Sequence, residues 1–407
     1  MEFLTLQDVE IKNKTVFVRA DLNCPVEDGK VQPSPRMVEH AKTIYKLSQM
    51  GAKTVILAHE GREGKDDFIS LEQHSKLLAR QLEKCSKSKI PLKFIDDVAG
   101  KKAKYAIKAL KPGEALLLQN VRFLKSEIEF EKTQKSELVQ NLSPLCEIFV
   151  LDAFSVSHRA QASVVGFTNC PAVAGPVMQA ELEALTHLEN PKRPSLLILG
   201  GAKPADSLPI LEEWIISKKA DFAICGGAMG NLMLMASGKK LGTPSEEFLQ
   251  TSGSLKDFEK ICQFYKKFSK SLLIPQDVVV AANSGAKTIS AQALPSQFPI
   301  LDIGEKTIAD FKKQISLAGS IVLNGPMGVY EKDEFSHGTK EILLSVANSP
   351  AFSLVGGGHT LSALEEFSIP HSKFGYVSLS GKALVEFLCG QQLPGITMLG
   401  DSFRRFS

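Results

Sequence analysis

Short apolar runs recur along the whole chain, and they divide into two sets by the residues that follow them. In the second half the runs end in glycine loops: LLILGGAK (196–203), FAICGGAMGN (222–231), SIVLNGPMG (320–328) and FSLVGGGHT (352–360). In the first half they end in basic or polar groups: TVFVRADLN (15–23), TVILAHEGR (54–62), ALLLQNVRF (115–123) and EIFVLDAFSVSHR (147–159). These runs read as strands, and stretches of helical period lie between them. Ser70 and Gln73 form a capping-box pattern that predicts a helix through SLEQHSKLLARQLEK, with Leu71, Leu77, Leu78 and Leu82 near helical spacing. A second unit runs from the strand ILDIG through Thr307-x-x-Asp310, which is predicted to open the helix TIADFKKQISLAG before the run at 320–323. Repeated strand–helix–strand units imply parallel strands, right-handed crossovers and helices on both faces, so the expected fold is doubly wound, Rossmann-like α/β.

The pattern breaks near 170–190. Cys170-Pro171 and Gly175-Pro176 interrupt it, VMQAELEALTHLE follows with Met178, Leu182 and Leu185 on one stripe, and Asn190-Pro191-Lys192-Arg193-Pro194 is a breaker stretch. The expected organisation is a first domain over 1–172, a hinge helix over 173–190 and a second domain over 191–389. The tail, about 390–407, is expected back on the first domain. Ligands of open α/β sheets bind outside the carboxyl ends of the strands. One half therefore looks shaped for a nucleotide and the other for a small anion.

Composition narrows the function classes. A chain of 407 residues, 43% hydrophobic and 23% charged, can bury a large core, and a net charge of +3 over that length argues against nucleic acid or an anionic membrane as partner. The seven cysteines are scattered with no C-x-x-C pair, which argues against a disulfide framework or zinc site and for a reducing compartment. MEFLTLQDVEIKNK does not read as a signal peptide and no apolar span reaches membrane length, so the cytoplasm is expected. The expected assembly is a monomer or small homo-oligomer.

The candidate chemistry lies at the strand ends. Arg19, Arg36, His59, Arg62, Arg122, His158 and Arg159 recur there in the first half, and arginine's rigid, permanently charged fork matches phosphate or carboxylate. Any one of them could be a solvated surface group. Their shared position reads as an anion pocket. A single Gly-Gly after a strand is often only a tight turn, and neither G-x-x-x-x-G-K-[ST] nor G-x-G-x-x-G occurs. The recurrence of such loops points instead to backbone N–H groups approaching phosphate beside helix N-termini, with Lys203 as an added charge.

VRADLNCPVEDGKV, LAHEGR, NVRF, DAFSVSHRAQASVVGF, LGGAKPADS, LNGPMGVYE, VGGGHT and FLCGQQLPGI resemble, in order and over nearly the whole chain, the phosphoglycerate kinases, with details closer to the archaeal branch. The resemblance implies that Asp21, Asn23, Arg36, His59, Arg62, Arg122 and Arg159 hold 3-phosphoglycerate with His158 beside them. It places Lys203, Gly227, Asn324, Glu331 and the Gly356-Gly357-Gly358-His359 loop on ATP or ADP, which carries Mg²⁺, with Glu331 on the ribose. Arg36, Lys203 and Gly381 are the implied catalytic set, Arg36 and Lys203 coming from opposite domains to the transferring group. The implied reaction is reversible phosphoryl transfer from 1,3-bisphosphoglycerate to ADP, giving ATP and 3-phosphoglycerate.

The chain departs from the family pattern at three places. Ser378-Leu379-Ser380-Gly381-Lys382 keeps one glycine where the family has a triple-glycine stretch, His359 stands where an aspartate would face the nucleotide's metal, and Ser207 replaces a second lysine. Imidazole is a poor ligand for the hard Mg²⁺ ion, so the metal ligands stay unassigned. The altered 378–382 loop leaves a second reading, a kinase-like binding or regulatory protein with weakened catalysis. Retention of Arg36 and Lys203 favours the enzyme. Trp214 reads as packing, and His40, His74, His187, His337 and His371 show no metal-ligand spacing and receive no role. For Cys24 beside the anion pocket, basic neighbours would lower the thiol pKa and burial would raise it.

Overall fold

The structure, a computed structural model, describes residues 1–85 and 90–407. The apolar runs of its first part become β1 (Thr15–Arg19), β4 (Lys53–Leu57), β6 (Ala115–Leu118) and β7 (Ile148–Leu151). Around them lie a small hairpin of β2 (Val26–Glu27) and β3 (Lys30–Val31) and the strands β5 (Leu92–Ile95) and β8 (Ala172–Ala174). The six longer-range strands form one all-parallel sheet in the order β5-β6-β4-β1-β7-β8. Register sets Arg19 beside both Leu57 and Leu151, so the loops that leave β1, β4 and β7 emerge along one sheet edge.

Both faces of this sheet are covered, which is why its strands are apolar without alternation. Val16 and Val18 pack with Met37, Ile44 and Leu47 of the helix Pro35–Gln49 and with Leu78 and Leu82 of the helix Glu72–Cys85. On the opposite face Phe17 and Phe149 meet Phe167, with ring centroids 5.4 Å and 5.1 Å away. The last helix, Pro394–Phe406, joins this unit: Ser402 Oγ accepts from Ala172 N at 2.8 Å, and Gly395 N donates to Ser157 O.

The second part of the chain supplies β9 (Ser195–Leu199), β10 (Phe222–Cys225), β11 (Leu272–Leu273), β12 (Asp277–Ala282), β13 (Gly285–Ser290), β14 (Ile300–Ile303), β15 (Ser320–Asn324), β16 (Phe352–Gly356) and β17 (Tyr376–Val377). A second parallel sheet runs β11-β10-β9-β15-β16-β17, and β13-β12-β14 form a separate antiparallel sheet. ILDIG therefore corrects its sequence reading. It becomes β14, paired antiparallel to β12, because β12 and β13 make a hairpin that offers a free edge beside it. The chain divides into two compact units, Met1–Glu183 with Gln392–Ser407, and Ala184–Gln391. The helix Pro176–Thr186 spans the residue at which they divide.

Both capping boxes also fail to form. Ser70 Oγ does accept from Glu72 N, but Gln73 turns away to tie the β2–β3 hairpin, donating to Gly29 O at 2.9 Å and accepting from Val31 N. The helix expected from Thr307 begins two residues earlier as Glu305–Leu317, capped by Gly304. Thr307 is instead bonded through its hydroxyl and amide to Asp277, and Asp310 accepts from Gln276. In each case a tertiary partner outcompetes the local one. Trp214 is packing, as expected: it is buried in the helix Pro204–Ile216 and donates Nε1–H to Leu388 O at 2.9 Å. Among the described residues no helix is long and apolar enough to cross a membrane.

Candidate active site

In the first unit the chain leaving β1 carries the densest chemistry. Arg19 is wholly buried and donates to Ser163 Oγ at 2.9 Å, to Ala20 O and to His59 Nδ1 at 2.9 Å. Ser163 in turn donates its hydroxyl and amide to the buried Glu127, whose carboxyl is raised by burial and pulled back by Ser163 and Arg19. Because an arginine can only donate, His59 Nδ1 accepts and Nε2 carries the ring proton. Burial, reinforced by Arg19 and Arg122, holds the His59 pKa well below its ordinary value. At neutral pH the ring is thus an uncharged N–H donor.

Asp21 and Asn23 follow on the same loop. The Asp21 carboxylate accepts from Arg36 at 3.0 Å, from the Ser155 hydroxyl and from Asn23 N at 3.1 Å. Burial alone would push this carboxyl up, but Arg36 and the Ser155 hydroxyl hold it well below the usual carboxylate range. Arg36 stands in the first turn of the helix Pro35–Gln49, which Ser34 caps by accepting from Met37 N. Arg122, nearly buried, follows β6 and donates to Gly61 O, while its Nε has no partner among the described residues. Burial, then Arg159, Arg19 and Arg62, push the Arg122 pKa down to about 10, so it remains charged at neutrality among other cations. Arg159 donates Nε–H to His158 Nε2 at 3.0 Å, and Arg62 is exposed. All eight anion-site residues named from the sequence therefore belong to this one unit, seven on the segments that follow β1, β4, β6 and β7 and Arg36, expected at a strand end, on the helix after the β2–β3 hairpin.

Sequence reading missed the residues beneath them. His40, given no role, accepts from Asp21 N at 3.1 Å through Nε2 and meets Asp152 at 2.8 Å through Nδ1, so it anchors the Asp21 loop to the end of β7. His74, likewise passed over, contacts Glu60 at 2.8 Å; Glu60 also accepts from Cys24 N at 2.7 Å and Gly61 N at 3.0 Å. That wholly buried carboxylate ties the loop after β1 to the loop after β4. An acid directly after the apolar run in AHEGR was the available signal. For Cys24 burial decides the matter, pushing the thiol up to about 11.

In the second unit the glycine loops separate into two kinds. Gly200 N, Gly201 N and Gly227 N already donate to Asn324 O, Pro326 O and Met327 O. A Cβ on Gly200 would lie 2.1 Å from Pro326 O, and one on Gly325, whose φ is +96°, 2.5 Å from the Gly200 carbonyl carbon. These glycines let three strand-end loops pack backbone to backbone, which corrects the expectation that their amides face phosphate. Gly356 is buried in β16 under Leu384. The next turn differs. Gly357, with φ +93°, sits against Asn324 Oδ1 and caps the helix Gly358–Glu366, whose first turn no side chain caps; Gly358 has open space around it.

Beside this turn lies a cleft of about 480 Å³, floored by Pro275, Val278, Ile300 and Met327 and edged by Gly227, Asn231, Glu331 and His359. Glu331 Oε1 is 3.7 Å from His359 Nδ1, and both side chains are exposed. Asp302, deeper in the wall, is pushed up to about 7 by burial against the amides of Gly338 and Ile303 that it accepts. Gly227, Glu331 and His359, which the sequence suggested for nucleotide, line this cleft, and its apolar floor, which the sequence did not suggest, comes from β12, β14 and the loops around them. Lys203 and Gly381 do not line this cleft. Lys203 is exposed at the start of the helix Pro204–Ile216, in which Ser207 is buried. Gly381, at φ +46° with open space around it, precedes the helix Lys382–Leu388, and Lys382 reaches Glu386 at 3.2 Å.

Comparison with known proteins bears on both halves. The phosphoglycerate kinase family model matches residues 6–391. Phosphoglycerate kinases of Methanopyrus kandleri and Methanothermobacter thermautotrophicus are each 37% identical, over 96% and 98% of this chain and 96% and 97% of their own lengths. The crystal structure of phosphoglycerate kinase from Pyrococcus horikoshii superposes with a TM-score of 0.88 at 34% identity, covering 99% of this chain and 100% of that one. The structure of phosphoglycerate kinase from Coxiella burnetii gives 0.83 at 37%, covering 98% of this chain and 99% of that one.

Proposed function

This chain belongs to the phosphoglycerate kinase family, and on that premise we propose that its first unit receives 3-phosphoglycerate and its second receives ADP or ATP. The activity is reversible phosphoryl transfer between 1,3-bisphosphoglycerate and ADP, yielding ATP and 3-phosphoglycerate. The observation that carries the division of roles is the contrast between the two strand-end regions. One gathers Arg19, Arg36, Arg62, Arg122 and Arg159 around a neutral His59, and the other offers an apolar cleft beside an uncapped helix start.

The chemistry needs no general base. A carboxylate and a nucleotide phosphate oxygen are both deprotonated near neutrality, so catalysis rests on positioning and on neutralising charge across the transferring group. In this reading Arg122 and Arg159 pair with the anionic substrate, His59 donates Nε2–H to it, and Asp21 aims Arg36. In the second unit the floor of Pro275, Val278, Ile300 and Met327 takes the base, Glu331 the ribose hydroxyls, and the amides at Gly357 and Gly358 the phosphates. Lys203 and Gly381 serve the transferring phosphoryl group. Mg²⁺ carried by the nucleotide would be held by phosphate oxygens and water rather than by this chain's side chains, and would supply neutralisation of the phosphate charge. Among the described residues no three His, Cys, Asp or Glu side chains are grouped to hold an ion, and His359 offers a nitrogen where Mg²⁺ favours oxygen. A reducing, cytoplasmic setting fits the seven free cysteines.

Hydrogen exchange with single ligands tests the division. 3-Phosphoglycerate alone is expected to slow exchange at 20–23 and 59–62, and ADP alone at 226–231 and 356–359. Protection of one unit by both ligands would overturn it.

A further inference from the structure

The helix Gly227–Ala236 has the sequence GAMGNLMLMA, and Ala228, Met229, Gly230, Leu232, Met233 and Leu234 are all buried along it. Asn231 is the one polar side chain in this run and is itself only 7% exposed. Its carboxamide makes no hydrogen bond with any described residue, yet it lines the 480 Å³ cleft. The residue is largely buried, but its amide atoms are not among the buried polar atoms left without a partner, so they open into the cleft. The helix is also held close. A Cβ on Gly230 would lie 2.8 Å from Cys225 O, so the backbone lies tight on β10 and the Asn231 face cannot turn away.

We propose that Asn231 reads the nucleobase, its carbonyl oxygen accepting from the 6-amino group of adenine and its NH₂ donating to N7. The inference rests on this cleft being the nucleotide site. An asparagine matches adenine's adjacent donor and acceptor in a bidentate pair, whereas guanine presents two acceptors, O6 and N7, on the same edge. The other groups of the wall do not supply this discrimination. Pro275, Val278, Ile300 and Met327 contact ring faces that both purines share. Both carboxylate oxygens of Asp302 are engaged by Gly338 N and Ile303 N, and Ser245 Oγ accepts from Ile300 N at 3.0 Å. Glu331 and His359 are exposed at the rim. Asn231 is the buried polar group of the lining that still has both its donor and its acceptor to offer.

Initial rates at saturating 3-phosphoglycerate, with ATP, GTP and 7-deaza-ATP as donors, test this on the whole protein. The wild type is expected to favour ATP over GTP and over 7-deaza-ATP. In Asn231→Leu the KM for ATP is expected to rise roughly tenfold to a hundredfold, with kcat and the KM for 3-phosphoglycerate unchanged and the preference among the three donors largely erased. Asn231→Leu should also gain less thermal stability from added ADP than the wild type does. Unchanged donor preference in Asn231→Leu overturns the proposal, as does a wild type that uses 7-deaza-ATP and GTP as well as ATP, a result that needs no variant. Val278→Trp, which fills the cleft, separates the two levels. If it leaves the KM for ATP unchanged, the cleft is not the nucleotide site; if it raises that KM while Asn231→Leu is neutral, only the role of Asn231 falls.

Discussion

Gly358→Ala is the sharpest test of the phosphate cradle, because the structure separates its effect on stability from its effect on binding. Gly358 opens the helix Gly358–Glu366, has no left-handed φ, and has no heavy atom within 4 Å of the position its Cβ would take. In a helix alanine is favoured over glycine by up to about 1 kcal/mol, so the variant should be as stable as the parent or slightly more so. A phosphate held by the amides of this turn must approach the same open space, and the new methyl would stand in it. Losing one hydrogen bond to a charged group costs about 1.5–3 kcal/mol, or roughly a tenfold to 150-fold rise in the nucleotide KM. Gly357→Ala is the control with opposite character. Its φ of +93° and the 2.3 Å approach to Asn324 Oδ1 make that substitution strained wherever the phosphate lies, so it should lower the melting temperature as well. The assay pairs thermal unfolding with separate KM values for ATP and 3-phosphoglycerate. If Gly358→Ala binds ATP normally, the cradle has been misplaced.

Other expectations are briefer. Arg36→Ala should leave the fold intact, since the side chain is about one-third exposed, and lower turnover by roughly a hundredfold to a thousandfold in the coupled assay; near-parental turnover would remove Arg36 from the chemistry. Lys382→Ala should change turnover little and stability by no more than about 0.5 kcal/mol, because Lys382 is exposed and pairs with Glu386 one turn on; a tenfold fall in turnover would show that its charge serves the transferring group. Asp302 has a folded pKa raised to about 7 by burial, against 3.8 for the free group. The folded chain therefore holds a proton that the unfolded chain has released, and stability from this group is present below about 4 and is lost as pH rises through about 7. Urea unfolding at pH 5 and pH 8 should show a difference of up to a few kcal/mol that shrinks in Asp302→Asn; an identical difference in the variant would rule Asp302 out as its source.

What could be read from the sequence followed from strong local grammar. Apolar runs with a chemical signature at their ends located the central strands of both parallel sheets and the segments that carry Asp21, His59 and Arg122. What could not be read depended on partners distant in sequence. Gln73 and Thr307 matched a capping pattern, yet Gly29 and Asp277 claimed their side chains. ILDIG looked like one more parallel strand until the hairpin of β12 and β13 gave it an antiparallel neighbour. His40 and His74 lacked metal spacing, and although the acid in AHEGR was visible, nothing local paired Glu60 with His74 or Asp152 with His40 as anchors for the loops after β1 and β4. The glycine loops stood out in the sequence, but only three-dimensional contact shows which serve packing and which remain open.

The backbone contacts at Gly200, Gly227 and Gly325 also constrain how the proposed nucleotide site could be redesigned. Each would place a Cβ within 3 Å of an atom from another strand-end loop, so a side chain at any one pushes against a neighbour that has no slack of its own. The loops therefore behave as a single tolerance-limited part, and changing the donor nucleotide by mutating them one at a time should yield unfolded or inactive variants. Room for redesign lies in the cleft floor. Val278 and Ile300 present ordinary side chains whose volumes can be exchanged against one another, so the width of the cleft should be adjustable there with the glycine framework left as it stands.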